Sequence, residues 1–531
     1  MKKALFVLAA LSLSSVLPAL GQTAVEGRGV WAHPGDFGKS EQDVEAFFRV
    51  LKDAHIQVVV PLVKDMAGRV FWQSRRFPDA VHPDYREFDL LRAITSVAPK
   101  HGIKVHAWLC DFGEAKDSPA FKLHPEWAML SPEGGLTADE KLTPDRIYGP
   151  VWMCPARRPG YTDQWLLPMI EEIVRDYPVD GIHHDYVRYP GDAAPDTYCF
   201  CDYCLEHFWS DNLFFYPSQP DKQVPLKNIR LRTEANWDQD FTAKPADWAR
   251  MSREEKARII LEGKSINRAD LDYFFYELRS DAVSRFVREA WERASAIRPE
   301  IEMSAAVFIN PMKSGRFIGQ RWTDFAPWVD MTMTMTYRSH FQGSFEDYLD
   351  YLGDVVPAQN SWVGNKSCLY VGLDAYYIFQ EEREPWEKAV ALLRSGSGDS
   401  PSALKTLMEA NIASLSEHSA ERAKALGDKF RSFERGEITG DDVAGWLTGQ
   451  LADPPPGFFP EGKLIRAVET VRKSGGQGIM VFSATHLSRN KLWGGVEKAF
   501  SFPARPAQEV LPEGNHLSIR AWRELKKRNL E

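Results

Sequence analysis

Short apolar runs rich in β-branched residues alternate with amphipathic stretches along most of this chain, a pattern that predicts right-handed βαβ units around a parallel sheet. Residues 29–34 (GVWAHP) read as a first strand. Val44, Phe47, Phe48 and Leu51 then recur at helical spacing, and residues 56–63 (IQVVVPLV) form the second strand. A helix with Leu91, Ile94 and Ala98 on one face stops at Gly102 and precedes strand three, residues 103–110 (IKVHAWLC). The stripe Leu166, Ile170, Ile173, Val174 and Tyr177 leads to a fourth strand at Val179. Farther on, a long helix carries Val283, Phe286, Val287, Ala290, Trp291, Ala294 and Ile297. Strands five to eight fall at 302–308, 330–337, 368–373 and 478–483, with helices predicted around 345–355 and at Leu464, Val468 and Val471. Eight strands with helices between them predict a closed (β/α)8 TIM barrel. No Gly-rich dinucleotide fingerprint follows the first strand, which disfavours an open doubly wound sheet.

Length changes the picture. The chain has 531 residues, whereas a barrel takes about 250. Lys2 and Lys3 precede an apolar run, and Ala19-Leu20-Gly21 offers small residues at a cleavage site, so residues 1–21 read as a signal peptide. That predicts an exported protein, periplasmic or extracellular. No later apolar run is long enough to span a membrane. Residues 22–486 are predicted to hold the barrel and three insertions, 113–160 after strand three, 191–267 after strand four and 376–460 after strand seven. The last is helical and charged and could be a small subdomain or lid. Residues 487–531 form a C-terminal tail with a basic amphipathic helix near Arg520. Insertions that follow strands lie on the C-terminal face of a barrel, where barrel enzymes place their sites.

Charge and composition narrow the partner. With 65 Lys and Arg against 74 Asp and Glu, the formal charge is −9, which argues against a nucleic acid. Seventeen Trp suit the faces of sugar rings, although most Trp in any protein simply pack.

The fourth-strand region, Asp180 to Gly191 (DGIHHDYVRYPG), departs from the apolar rule for a buried strand, and such departures tend to be functional. Gly181, His183 and Asp185 share one face. If that face is the inner one, Asp185 sits at the barrel mouth with His183 one layer below as a hydrogen-bond partner that keeps it ionised. The carboxylate could then act as a nucleophile or stabilise an oxocarbenium-like charge. The competing account is a buried Asp paired with Arg188 to fix the loop. Trp31 and His33 on strand one, with His106 and Trp108 on strand three, could line a sugar subsite. Tyr186, Arg188 and Tyr337 are further substrate-binding candidates at strand ends, as are Arg338 and Tyr376.

The RGVW opening at 28–31, GIKVHAW at 102–108, DGIHHDYVRYPG at 180–191 and GQGIMVFS at 476–483 resemble the glycosyl-hydrolase-like family ten, exported bacterial barrels distantly similar to α-amylase-type and α-galactosidase-type glycosidases. The resemblance covers most of the barrel and little of the insertions. It implies a nucleophilic Asp ending strand four, matching Asp185, and a supporting Arg or His two residues earlier, matching His183. It also implies an acid ending strand five or six. There the sequence reads Val307-Phe-Ile-Asn-Pro and Thr336-Tyr-Arg-Ser-His, with no carboxylate. The acid must then come from elsewhere on the same face, with Asp111 and Asp374 favoured over Glu114, Asp36 and Asp65. The predicted function is an exported glycoside hydrolase acting on an oligo- or polysaccharide, cell-wall glycan being one substrate the resemblance suggests. The alternative is a non-catalytic carbohydrate-binding barrel that has lost its acid.

The six Cys include the dense run Cys199-Phe-Cys-Asp-Tyr-Cys204. Export favours a disulfide here, for instance to Cys154. Cys199, Cys201 and Cys204 could instead hold a structural Zn2+, with Cys154 or His207 as fourth ligand. No catalytic cofactor is expected, and the chain lacks the HEXXH helix of zinc hydrolases.

Overall fold

The computed structural model describes residues 24–143, 146–147, 149–191, 198–208, 245–265, 269–364, 366–395, 401–455 and 461–509. The predicted signal peptide, the helix near Arg520 and much of the insertion after strand four lie outside these residues. Eight parallel strands close into a barrel in sequence order: β1 (Gly27–Ala32), β2 (Val58–Lys64), β3 (Lys104–Cys110), β4 (Gly181–Asp185), β5 (Glu302–Val307), β6 (Met331–Thr334), β7 (Cys368–Asp374) and β8 (Gly478–Phe482). All eight predicted strands exist. The largest difference in length is β6, expected over 330–337. The Asp330 carboxylate turns back to accept from the Met303 amide at 2.8 Å, and beyond Thr334 the chain turns away so that Tyr337 reaches the mouth.

Helices form where the apolar stripe lies between good caps. Helix α1 (Glu41–Asp53) starts at Ser40, whose side chain accepts from the Asp43 amide, and buries Val44, Phe47, Phe48 and Leu51 against the sheet. Helix α2 (Leu90–His101) is capped by Asp89 and ends at Gly102 in the left-handed region, φ 68°. Helices α3 (Leu167–Asp176), α4 (Ala269–Ile297) and α5 (Phe345–Val363) continue the outer ring. The described residues of the insertion after β7 fold as four helices, α6 (Ala375–Ser395), α7 (Pro401–Ser416), α8 (Ala420–Glu434) and α9 (Gly440–Ala452), before α10 (Glu461–Lys473) rejoins the ring. Their buried Trp386, Leu393, Met408, Leu426 and Leu447 belong to the main hydrophobic core. The insertion is thus built onto the barrel's own core. None of the described helices is long and apolar enough to cross a membrane.

The interior is filled by Trp31, Val58, Val60, Leu62, Trp108, Met331, Met333, Tyr370 and Met480. The tail closes the end of the barrel away from the mouth. Ala507 packs into the interior cluster, the Tyr370 hydroxyl bonds Gln508, and Glu509 pairs with Lys104 at 2.7 Å. Residues 504–505 also pair in parallel with 24–25. Residues 507–509, within the segment expected to be a C-terminal tail, therefore plug the barrel.

Glycines on inward positions leave room for the largest interior side chains. A Cβ on Gly181 would lie 2.5 Å from the His106 ring, which hydrogen bonds hold at both nitrogens. Gly181→Ala should therefore destabilise the fold by about 1–3 kcal/mol, read as a lower urea midpoint with an unchanged m-value.

Candidate active site

One hydrogen-bonded chain crosses the barrel interior. The Trp31 indole N–H donates to His183 Nε2 at 3.0 Å, which leaves His183 Nδ1 to carry the proton and donate to Ser304 Oγ at 2.9 Å. Ser304 Oγ meets His106 Nδ1 at 3.0 Å, and His106 Nε2 meets Glu302 at 3.1 Å. Lys104 completes the series with an ion pair to Glu302 at 2.6 Å. Burial, reinforced by His106 and His184, pushes His183 well below the ordinary imidazole range, so it is neutral. Glu302 is held down at about 2 by His106 and Lys104 despite its burial.

This arrangement corrects three expectations. Trp31, His106 and His183 are enclosed, at 0–1% exposure, and their polar atoms are satisfied within the series that includes Ser304 and Glu302. They brace the barrel and line no subsite. His183 does not bond Asp185. Ser304 and Glu302 escaped notice in the sequence, although the alternation of Glu and Ser in the strand EMSAAV is the same period-two signal that marked strand four.

Asp185 does stand at the inner end of β4, as expected. Its Oδ1 accepts from the Tyr186 amide at 2.7 Å. Burial raises its pKa to about 6, opposed by that amide and by the Arg188 cation, while Asp111 adds to the rise. The Trp108 indole lies close enough to favour the charged form, but its N–H does not reach hydrogen-bond geometry. Tyr186 adopts φ 50°, a strained conformation for a bulky residue and one that tends to cluster at functional sites. Arg188 makes no ion pair with Asp185 among the described residues. Its guanidinium instead lies over Phe308 at 4.6 Å and over Trp152 and Tyr186 at 5.0 Å. The loop-fixing pair considered from the sequence is replaced by this aromatic cage.

The two favoured acids part company. Asp111 is fully enclosed, and its Oδ2 lies 2.8 Å from His184 Nδ1, with Phe286 of α4 packed on the imidazole. A carboxyl sealed outside the barrel wall cannot meet a substrate. This corrects the expectation for Asp111. Asp374 ends β7 and faces the mouth. It accepts from the Tyr376 amide at 3.1 Å and from Ser339 Oγ at 3.2 Å. Burial raises it to about 6, opposed by the Tyr377, Ser339 and Tyr376 donors, with no cation among the causes. Of the remaining acids, Glu114 is sealed in an ion pair with Lys64 at 3.3 Å. Asp65 accepts the Ala67 and Arg69 amides of its own turn, and Asp36 accepts the His33 amide and Thr485 Oγ1.

Tyr337 lies within electrostatic range of both carboxyls. Its hydroxyl is pushed up by burial and then by both Asp185 and Asp374. Its ring stacks on Phe482 at 5.4 Å and meets Trp31 edge-on at 6.4 Å. His33, with Nδ1 3.1 Å from Thr485, packs on Trp108 at 5.5 Å. Phe482, Thr485, His486 and Trp152 join this mouth without having been singled out from the sequence. Tyr376 lies against His486 at 4.9 Å, while Arg338 turns to the carbonyls of Phe341 and Gly343.

Comparison with known proteins bears on the same region. Residues 43–186 match the family model described as hypothetical glycosyl hydrolase 6. This stretch is similar to that family of glycosyl-hydrolase-like proteins. It runs from within α1 through β2, β3 and β4 to just past Asp185, and its model bears the number six where the motifs resemble family ten. No curated protein matches the chain. Among solved structures, α-L-fucosidase isoenzyme 2 from Paenibacillus thiaminolyticus is 16% identical with a TM-score of 0.39, covering 69% of this chain and 44% of that one. The β-galactosidase from Rahnella sp. R3 is 14% identical with a TM-score of 0.44, covering 67% and 46%. An α-amylase from Lactobacillus plantarum is 15% identical with a TM-score of 0.37, covering 69% and 68%. The chain thus spans less than half the length of the first two.

The raised carboxyls have a thermodynamic consequence. Between the ordinary Asp value of 3.8 and the folded value of about 6, folded Asp374 keeps a proton that the unfolded chain releases. Stability contributed by this group is therefore present at low pH and lost as pH rises from about 4 to about 6. Asp374→Asn keeps an acceptor for the Tyr376 amide without the buried charge. It should be more stable than the natural chain at pH 7.5 by roughly 1–3 kcal/mol, and urea unfolding at successively lower pH should show the gap closing towards pH 4.

Proposed function

We propose that this protein is an exported glycoside hydrolase in which Asp185 supplies negative charge at the anomeric carbon and Asp374 protonates the departing oxygen. The observation that carries this reading is the pair of carboxyls ending β4 and β7 on the same face of the barrel, Asp185 accepting from the Tyr186 amide and Asp374 from Ser339 and the Tyr376 amide, with burial raising both to about 6. Groups that titrate near the working pH suit general acid and base roles. The division of labour follows from their surroundings. Asp185 has the Arg188 cation to favour its ionised form, whereas Asp374 has only neutral donors and is the readier proton donor. Protonation by Asp374 lets the glycosidic C–O bond break. The positive charge that develops on the sugar is met by Asp185, as nucleophile or as electrostatic partner, and water then adds to the anomeric carbon, giving its proton to the Asp374 carboxylate and releasing Asp185 where an ester had formed. Trp108, Tyr186, Tyr337 and Phe482 supply apolar and aromatic surface for the sugar, and His33 and Arg188 supply polar contacts.

Turnover needs Asp185 ionised and Asp374 protonated, so kcat/KM should describe a bell centred near pH 6. A screen of oligosaccharides, polysaccharides and cell-wall glycans, with product analysis, identifies the substrate. Asp185→Asn should then abolish turnover while sugar affinity persists. Asp374→Asn should lose about 10²–10⁴-fold on the natural glycan and far less on a dinitrophenyl glycoside, whose leaving group needs no proton. A second reading, a carbohydrate-binding barrel without catalysis, is favoured by the absence of carboxylates at the ends of β5 and β6. It prevails if the natural chain and both variants bind a glycan equally and none turns it over.

A further inference from the structure

The expected disulfide does not form. All six cysteines are unbridged, and four of them, Cys154, Cys199, Cys201 and Cys204, place their sulfurs within 4.8 Å of one another in a fully buried group. Cys154 lies 3.5 Å from Cys204 and 3.8 Å from Cys201, sulfur to sulfur. A disulfide would need about 2.05 Å. A tetrahedral zinc tetrathiolate, with Zn–S bonds of about 2.3 Å, sets its sulfurs about 3.8 Å apart. The four thiols converge on one centre, as metal ligands do, and do not separate into pairs. His207, the other candidate ligand, turns its Nδ1 to the Tyr203 carbonyl at 2.9 Å.

We propose that these four cysteines bind one structural Zn2+, which joins the loop after β3 to the loop after β4. Four thiol protons leave to solvent as the ion enters, and the site carries a net charge of minus two. The surroundings suit that charge. The Cys201 amide donates to Cys199 Sγ at 3.4 Å. The Tyr189 hydroxyl is buried and has no hydrogen-bond partner among the described residues, and its electrostatic neighbours are Cys154, Cys204, Cys199 and Arg279. A thiolate accepts that hydroxyl proton far better than a thiol does. The Arg279 guanidinium, also buried, lies 4.4 Å from the Tyr189 ring centre and supplies compensating positive charge.

The ion sits beside the candidate active site. Cys154 is two residues beyond Trp152, which packs on Tyr186 at 6.0 Å and under Arg188. Zinc thereby holds Trp152 in the wall against which the Arg188 guanidinium packs. This assignment stands on the cysteine geometry and holds whether or not the barrel hydrolyses sugars.

The full chain, purified without chelating resin, should carry one zinc per molecule by elemental analysis, with the four thiols unreactive until a mercurial releases the metal. Cobalt exchange should give the intense visible bands of a tetrahedral tetrathiolate, a readout that needs no variant. Tyr189→Phe should retain zinc but bind it about 10–100-fold more weakly in chelator competition. Disulfide-linked peptides in non-reducing mass spectrometry, four freely reactive thiols without metal, or iron in place of zinc would each overturn the assignment.

Discussion

Two imidazoles can sit inside this barrel only because every one of their ring nitrogens has a partner. An unpaired polar atom buried there costs about 1–3 kcal/mol, so the series from Trp31 through His183, Ser304 and His106 to Glu302 is a condition for closing the sheet around those residues. The same series has a consequence for the mouth. Because the Trp31 N–H occupies Nε2 of His183 and Ser304 occupies Nδ1, the histidine has nothing left for Asp185. The carboxyl above it is supported mainly by one backbone amide, and burial dominates its titration. The internal bracing and the raised carboxyl are two sides of one arrangement.

Excess length is spent around the mouth and at the closed end. The loop after β3 brings Trp152 onto Tyr186 and brings Cys154 to the three cysteines that follow β4. The Lys64–Glu114 pair, with Glu114 also accepting from Tyr161 at 2.6 Å, anchors the start of that loop. The insertion after β7 begins at Asp374 itself, whose carboxylate accepts the first free amides of α6. A side chain that starts a helix and also faces the mouth is held rigidly, and the amides that hold it oppose its protonation. Its position among neutral donors, with burial still dominant, is what leaves it available as an acid.

Much of the fold was legible in the sequence. Eight strands, the shared phase of Gly181, His183 and Asp185, and the stripe on α1 follow from periodicity alone, because alternation and helical spacing are local properties of a chain. The ends of elements were less legible. Strand β6 stops early because beyond Thr334 the chain turns away and carries Tyr337 to Phe482 and Trp31, contacts between residues far apart in sequence. The role of the tail was invisible for the same reason, since nothing in residues 504–509 announces that they plug a barrel.

For the site, sequence by itself determined which residues break the apolar rule: His183, His184 and Asp185 on one strand, a cluster of thiols after it, and carboxylates near strand ends. Only the tertiary structure decided what each of them faces. His184 and Asp111 turn outward and pair with each other, His183 turns inward to Trp31 and Ser304, and Cys154 arrives from another loop to complete a group of four. Chemistry is written in residue type, but protonation and access depend on neighbours that the chain brings together only on folding. That is why Asp374 and Asp111, alike on paper, part into a carboxyl at the mouth and a carboxyl sealed in the wall.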